Sequence, residues 1–250
     1  MEAGETHRGG LGAELDRVEA AVEAGDTDLR RLGFWRLVGL IKLDDELIER
    51  HAEQVGRIDA KAFERTVSVR IPVWAGNLVL AFVLAVGFVG LAVASWKGTP
   101  NSSFEYDRTL ASIGLLVAAG AWDVGAHSPT HWLVGRLVGI QFSQYFVRAI
   151  TTPPGLKTDY ASYLRVSPRA RAWMHVSGAI ASKLAPFLVL ALAAGYGIDA
   201  HGWAIAILWV LAIGQIVTDF LFSTRRSDWK KVLRELAVAR ERRRVETPLS

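Results

Sequence analysis

Four long apolar runs constrain the fold of this chain more than any other feature. They cover residues 71–96, 109–133, 174–195 and 203–222. A helix needs about 20 mostly apolar residues to cross the hydrocarbon core of a bilayer, and inside that core a chain must satisfy its own backbone hydrogen bonds. We therefore predict an all-α polytopic membrane protein with four transmembrane helices and the lipid bilayer as its surroundings.

The polar stretches on either side of these runs predict the domain organisation. Residues 1–70 are predicted to form a membrane-proximal helical region, residues 71–223 the transmembrane domain and residues 224–250 a basic cytoplasmic tail. In the first region, Asp44 or Asp45 is placed to cap a helix that runs to about Glu64. The apolar segment 34–43 is too short to span, so it either lies in the membrane interface or packs as a short helix on a soluble subdomain.

The distribution of basic residues predicts the orientation in the membrane. The chain has 29 Lys and Arg residues and a net charge of +4, yet only two of them fall in 97–108 and none in 196–202. Because Lys and Arg concentrate in cytoplasmic loops, both termini and the segment 134–173 are predicted to be cytoplasmic, in a multi-pass protein of the cell membrane. Basic residues that flank the spans are explained by topology, so we expect no nucleic-acid partner. The sequence does not determine the oligomeric state.

Three ionisable residues lie where the second apolar run ends. Asp123, His127 and His131 are spaced at i, i+4 and i+8, so a continuous helix presents them on roughly one face. Two histidines one turn apart can bind one metal ion, and a chain with no cysteine must complete such a site with carboxylate or water. Pro129 separates the histidines, so the helix is either continuous and kinked, or restarts with Ser128 as its N-cap.

A second acidic residue lies at the same predicted depth in another span. With the orientation above, the second and fourth runs both cross from outside to inside. At about 1.5 Å per residue, His127 lies roughly 27 Å below Thr109, and Asp219 lies roughly 24 Å below Trp203. Both positions fall near the cytoplasmic edge of a hydrocarbon core about 30 Å thick.

The residues around the histidine pair resemble a known family. The sequence His127-Ser-Pro-Thr-His131, followed by Trp-Leu-Val-Gly-Arg-Leu-Val-Gly-Ile, is similar to the HExxH helix of the site-2 proteases, which are intramembrane zinc metalloproteases. The resemblance implies a Zn²⁺ ion held by His127, His131 and Asp219, in a site-2-protease-like core. It also places Gly178 at the glycine of a second family motif.

One position departs from the family pattern. The family's glutamate, which is the general base, is replaced by Ser128, and a serine hydroxyl does not accept a proton from zinc-bound water at neutral pH. Asp123, one turn before His127, is a candidate substitute base. If this chemistry is absent, Asp123 has the simpler role of a polar contact to Lys183 or to water, and Lys183 is expected to pair with Asp123 or Asp219.

Three functions remain open at this point. The first is a zinc-dependent intramembrane peptidase, or its catalytically weakened relative, that acts on a transmembrane or membrane-proximal protein. The second is a non-catalytic binding or regulatory membrane protein that keeps the fold. The third is a transporter or channel in which the intramembrane charges mark a pathway. The simplest interpretation of the histidine pair is two interfacial side chains that bind headgroups or loops.

Overall fold

A computed structural model describes residues 2–99, 104–147, 154–221 and 227–246. These residues form a mostly helical chain with one small sheet. The helices are α1 (Glu2–Glu23), α2 (Phe34–Ile41), α3 (Asp45–Thr66), α4 (Val73–Lys97), α5 (Glu105–Leu137), α6 (Tyr160–Arg165), α7 (Pro168–Gly195), α8 (Gly202–Leu221) and α9 (Asp228–Glu246). The strands are β1 (Val69–Pro72), β2 (Phe142–Val147) and β3 (Gly155–Thr158).

Four of the described helices, α4, α5, α7 and α8, are long and apolar enough to cross a membrane. This confirms the prediction of a polytopic membrane protein with four candidate spans. Several bounds differ from the predicted ones, and α5 is four residues longer at each end. Helix α4 begins at Val73, because residues 71 and 72 belong to β1, and α7 begins at Pro168, whose fixed φ suits the first position of a helix.

The three strands form an antiparallel sheet in the order β1-β2-β3. Ile71 lies opposite Tyr145 in the β1–β2 pair, and Tyr145 lies opposite Leu156 in the β2–β3 pair. The mostly helical fold is consistent with the predicted all-α class, and this small sheet, in which distant segments of the chain pair, is an addition to it.

The chain divides into two compact units. The first contains residues 1–73, 135–172 and 233–250, and the second contains 74–134 and 173–232. The core of the first unit is formed where α1, α2 and α3 pack their apolar faces together with Leu164 of α6. Asp44 caps α3 as predicted, since its carboxylate accepts the backbone N–H groups of Glu46 and Leu47. Helix α2 buries Phe34, Leu37, Val38 and Ile41 in this core, so the segment 34–43 packs on a subdomain.

A buried charged group also holds the first unit together. The Glu235 carboxylate accepts hydrogen bonds from Lys42 Nζ at 2.5 Å, Arg171 Nε at 2.6 Å and the Tyr163 hydroxyl at 2.9 Å. The Arg171 side chain is fully buried, and it also donates to the carbonyl oxygens of Tyr163 and Leu164. Burial alone raises the pKa of Glu235, but attraction to Lys42 and Arg171 outweighs it and lowers that pKa.

The second unit contains the four candidate spans, and small residues bring its helices close together. Any side chain at Gly90 would overlap the backbone of α5 at Gly114. A side chain at Gly87 would likewise overlap the buried indole of Trp122. Close approach through glycine is a common way for membrane helices to pack, because lipid supplies no hydrophobic force between them. This packing fixes α5, on which the histidine pair lies.

Candidate metal centre

Helix α5 presents His127 and His131 as a pair. The helix is continuous from Glu105–Leu137 with Pro129 inside it, so the continuous-helix alternative is the one observed. The two imidazole rings lie edge to face with their centroids 4.8 Å apart. Thr130 Oγ1 donates to the carbonyl oxygen of Ala126 at 2.7 Å, next to the turn in which Pro129 cannot donate. A single helix therefore fixes two nitrogen ligands on one face.

A carboxylate from another helix completes the group. Asp228, the first residue of α9, places Oδ2 at 3.4 Å from His127 Nε2 and at 3.2 Å from His131 Nε2. One ligand atom from each of the three residues lies within 4.8 Å of the others, and among the residues that the structure describes this is the one such group. All three residues belong to the second unit.

The hydrogen bonds behind the imidazoles determine which nitrogen carries the proton. His131 Nδ1 lies 2.6 Å from the backbone oxygen of Met174, which only accepts, so Nδ1 carries the proton. His127 Nδ1 lies 3.3 Å from Ser182 Oγ, and that hydroxyl donates to carbonyl oxygens one turn earlier in α7. His127 Nδ1 therefore donates as well. In a neutral imidazole with this tautomer, Nε2 has a free lone pair.

Two lone pairs therefore lie next to one carboxylate oxygen. Such a set of acceptors is stable only if positive charge lies among them, either as protons on both Nε2 atoms or as a metal cation. Zinc binds nitrogen and oxygen at about 2.0–2.2 Å with tetrahedral geometry, which separates neighbouring ligand atoms by about 3.3 Å. The two distances from Asp228 Oδ2, 3.4 and 3.2 Å, match that separation. Two of the three separations between ligand atoms therefore suit zinc, and the group is a candidate metal site.

Outer partners orient each of the three ligands. Each histidine donates through Nδ1, His131 to a carbonyl oxygen and His127 to a hydroxyl. Lys231 Nζ lies 2.9 Å from Oδ1, the other oxygen of Asp228. When protons occupy both Nε2 atoms and no metal is bound, burial raises the pKa of Asp228, but hydrogen bonds from His127 and His131 outweigh the effect of burial and lower that pKa. Outer contacts of this kind fix ligand orientation in metal sites.

Gly178 of α7 leaves the space that the His131 ring fills. A Cβ atom at this position would overlap three atoms of the imidazole. Ser182, the partner of His127, lies one turn further along the same helix. Helix α7 therefore supports both histidines through residues four apart, in the opposite order to the histidines on α5.

The structure does not bring every candidate residue into this group. Asp219, the expected third ligand, pairs instead with Lys183 Nζ at 2.5 Å and accepts the indole N–H of Trp229 at 3.2 Å. The expected pairing of Lys183 with Asp219 is thus observed. Ser128 and Asp123 are half-buried on α5, outside the set of three ligand atoms.

Sequence reasoning missed Asp228 because it lies beyond the last span, in a stretch that its many arginines identify as a tail. One signal was available. A serine at 227 directly before Asp228 marks a helix start, and acidic side chains are enriched in the first turn of a helix.

Comparison with known proteins gives no relative for this chain. No family model matches it, and no match was found among curated proteins or among solved structures.

Proposed function

We propose that this chain is an integral membrane protein that binds one zinc ion through His127, His131 and Asp228. The supporting observation is the convergence of three ligand atoms whose tautomers and spacing suit a divalent cation. Asp228 takes the place that the family resemblance gave to Asp219. The expected zinc content of protein purified from zinc-replete cells is about one ion per chain, and protein that purifies without zinc would contradict the proposal.

The reaction class that this site best supports is metal-assisted hydrolysis of a peptide bond, at a low rate. Three protein ligands leave one position for water or substrate, as catalytic zinc sites do. Zinc, when bound, lowers the pKa of its water towards about 7. In this chain the position of the family's general base is Ser128, whose hydroxyl can hydrogen-bond to a water molecule but does not take its proton. Asp123 is the candidate substitute, and the substrate class is a transmembrane or membrane-proximal protein.

Ser128→Glu is expected to raise the cleavage rate, because it restores a carboxylate at the family's position on α5. General-base catalysis contributes about 10²–10⁴-fold, so the gain should exceed tenfold even with imperfect placement. The measurement is cleavage of a reporter transmembrane segment in proteoliposomes. Ser128→Gln is the matched control, since it has nearly the same shape and no proton acceptor of that strength.

The other outcomes assign the function differently. If both variants and the native protein are inactive while zinc is bound, the site serves a non-catalytic binding or regulatory protein, which the serine at 128 favours. If the native protein cleaves as fast as Ser128→Glu, Ser128 does not limit the rate, and Asp123→Asn becomes the deciding variant.

We also propose that both termini face the cytoplasm, with α5 and α8 crossing from outside to inside. The few basic residues in 97–108 and 196–202 support this orientation. Because the chain has no cysteine, single cysteines can be introduced without further changes. Cysteines at Asp107 and Asp199 should react with an impermeant reagent from outside, and cysteines at Arg169 and Arg240 only after permeabilisation. Labelling of all four from the same side would exclude this topology.

A further inference from the structure

Asp219 forms a polar contact between three helices at the edge of the metal centre. Lys183 Nζ of α7 lies 2.5 Å from Asp219 Oδ2 of α8, and the indole N–H of Trp229 in α9 donates to the same oxygen at 3.2 Å. Trp229 is the residue that follows Asp228. All of these residues belong to the second unit.

The charge of Asp219 is already balanced without a metal. A carboxylate in an apolar span is costly unless it is paired, and Lys183, whose side chain is 16% exposed, supplies the opposite charge. Paired in this way, Asp219 keeps oxygen lone pairs that can accept the hydrogen bond from Trp229. Its observed contacts therefore suit a residue that holds a neighbouring helix in place.

Asp228 is the ligand that depends most on such support. His127 and His131 are fixed relative to each other by one turn of α5, whereas Asp228 comes from a separate helix. Its other partner, Lys231, lies in the same turn of α9 and therefore moves with it. The hydrogen bond from Trp229 to Asp219 ties this turn of α9 to α8.

We propose that Asp219 is a positioning residue for the metal centre, which fixes Trp229 and through it the carboxylate of Asp228. The proposal rests on the zinc site proposed above. It assigns to Asp219 a role different from the ligand role that the family resemblance implies.

The test compares zinc affinity and cobalt spectra of the native protein with those of Asp219→Leu, which removes the acceptor for Trp229, Trp229→Phe and Asp228→Asn. Loss of an outer partner typically weakens metal binding about 10–100-fold, so the first two variants should bind zinc in that range and change the visible spectrum of bound Co²⁺. Asp228→Asn should lose the metal. Combining Asp219→Leu with Trp229→Phe should add little to either change, because both remove the hydrogen bond between the same two side chains.

Trp209→Phe is the matched control, since Trp209 lies on the same helix as Asp219 and is 48% exposed. It should leave zinc affinity unchanged. Native affinity in both Asp219→Leu and Trp229→Phe, with loss in Asp228→Asn, would overturn the positioning role and leave the zinc site intact. Complete loss in Asp219→Leu with retention in Asp228→Asn would also overturn it, by making Asp219 a ligand. A native protein without zinc affinity would instead refute the proposed function itself.

Discussion

Glu235→Ala is expected to lower the free energy of unfolding by about 3–5 kcal/mol, which is the usual cost of removing one partner from a buried ion pair. The Glu235 side chain is 5% exposed and the Arg171 side chain 0% exposed. Without the carboxylate, Arg171 and Lys42 become two buried cations that lack their shared anion. The measurement is unfolding of the detergent-solubilised protein, followed by circular dichroism.

Glu241→Ala is the matched control for this prediction. Glu241 lies on the same helix, but its side chain is 51% exposed and lies 3.6 Å from Arg244, so its removal should change stability by less than about 0.5 kcal/mol. If the two substitutions lower the free energy of unfolding equally, the buried ion pairs of Glu235 with Lys42 and Arg171 do not stabilise the fold more than an exposed pair does.

The lowered pKa of Glu235 gives the same group a defined pH dependence. A carboxyl group whose pKa is lower in the folded state stabilises the fold above its unfolded pKa, which is near 4.5, and this stabilisation is lost as the pH falls through the folded value. Glu235→Gln should therefore reduce the loss of stability of the native protein below about pH 4.5.

Local patterns were sufficient to predict the parts of the fold that short-range physics determines. Hydropathy over about 20 residues identified the four spans. The helical period predicted the histidine pair, because residues four apart on a continuous helix share a face whatever surrounds the helix. Asp44 as the cap of α3 followed from side-chain chemistry alone.

The third ligand could not be predicted in this way because depth in a membrane does not determine direction. Asp219 was predicted to lie at the same depth as His127, yet in the structure its carboxylate contacts Lys183. The carboxylate next to the histidine pair is that of Asp228 instead, which comes from a helix outside the spans. Strand β1 was missed for a similar reason. Its pairing with β2 joins residues more than 70 positions apart, and such pairing leaves no local pattern in 71–72.

His131→Ala and Gly178→Val are expected to abolish zinc binding through two different physical causes. The first removes a ligand nitrogen. The second keeps the imidazole, but its side chain occupies the space that the ring of His131 now fills, so Nε2 can no longer lie 3.2 Å from Asp228 Oδ2. The measurement is zinc retained per chain after gel filtration, which should fall from about one to near zero in both variants.

Gly120→Val separates this effect from the cost of valine in a helix. Gly120 lies on α5, and a Cβ atom there meets nothing within 4 Å. Gly120→Val therefore changes the helix propensity as Gly178→Val does, but it does not contact the histidines. It should retain zinc at the native level. Zinc retained by His131→Ala would show that His131 is not a ligand. Zinc retained by Gly178→Val alone would show that α7 does not set the position of the ring, because the imidazole can then bind the metal from another rotamer.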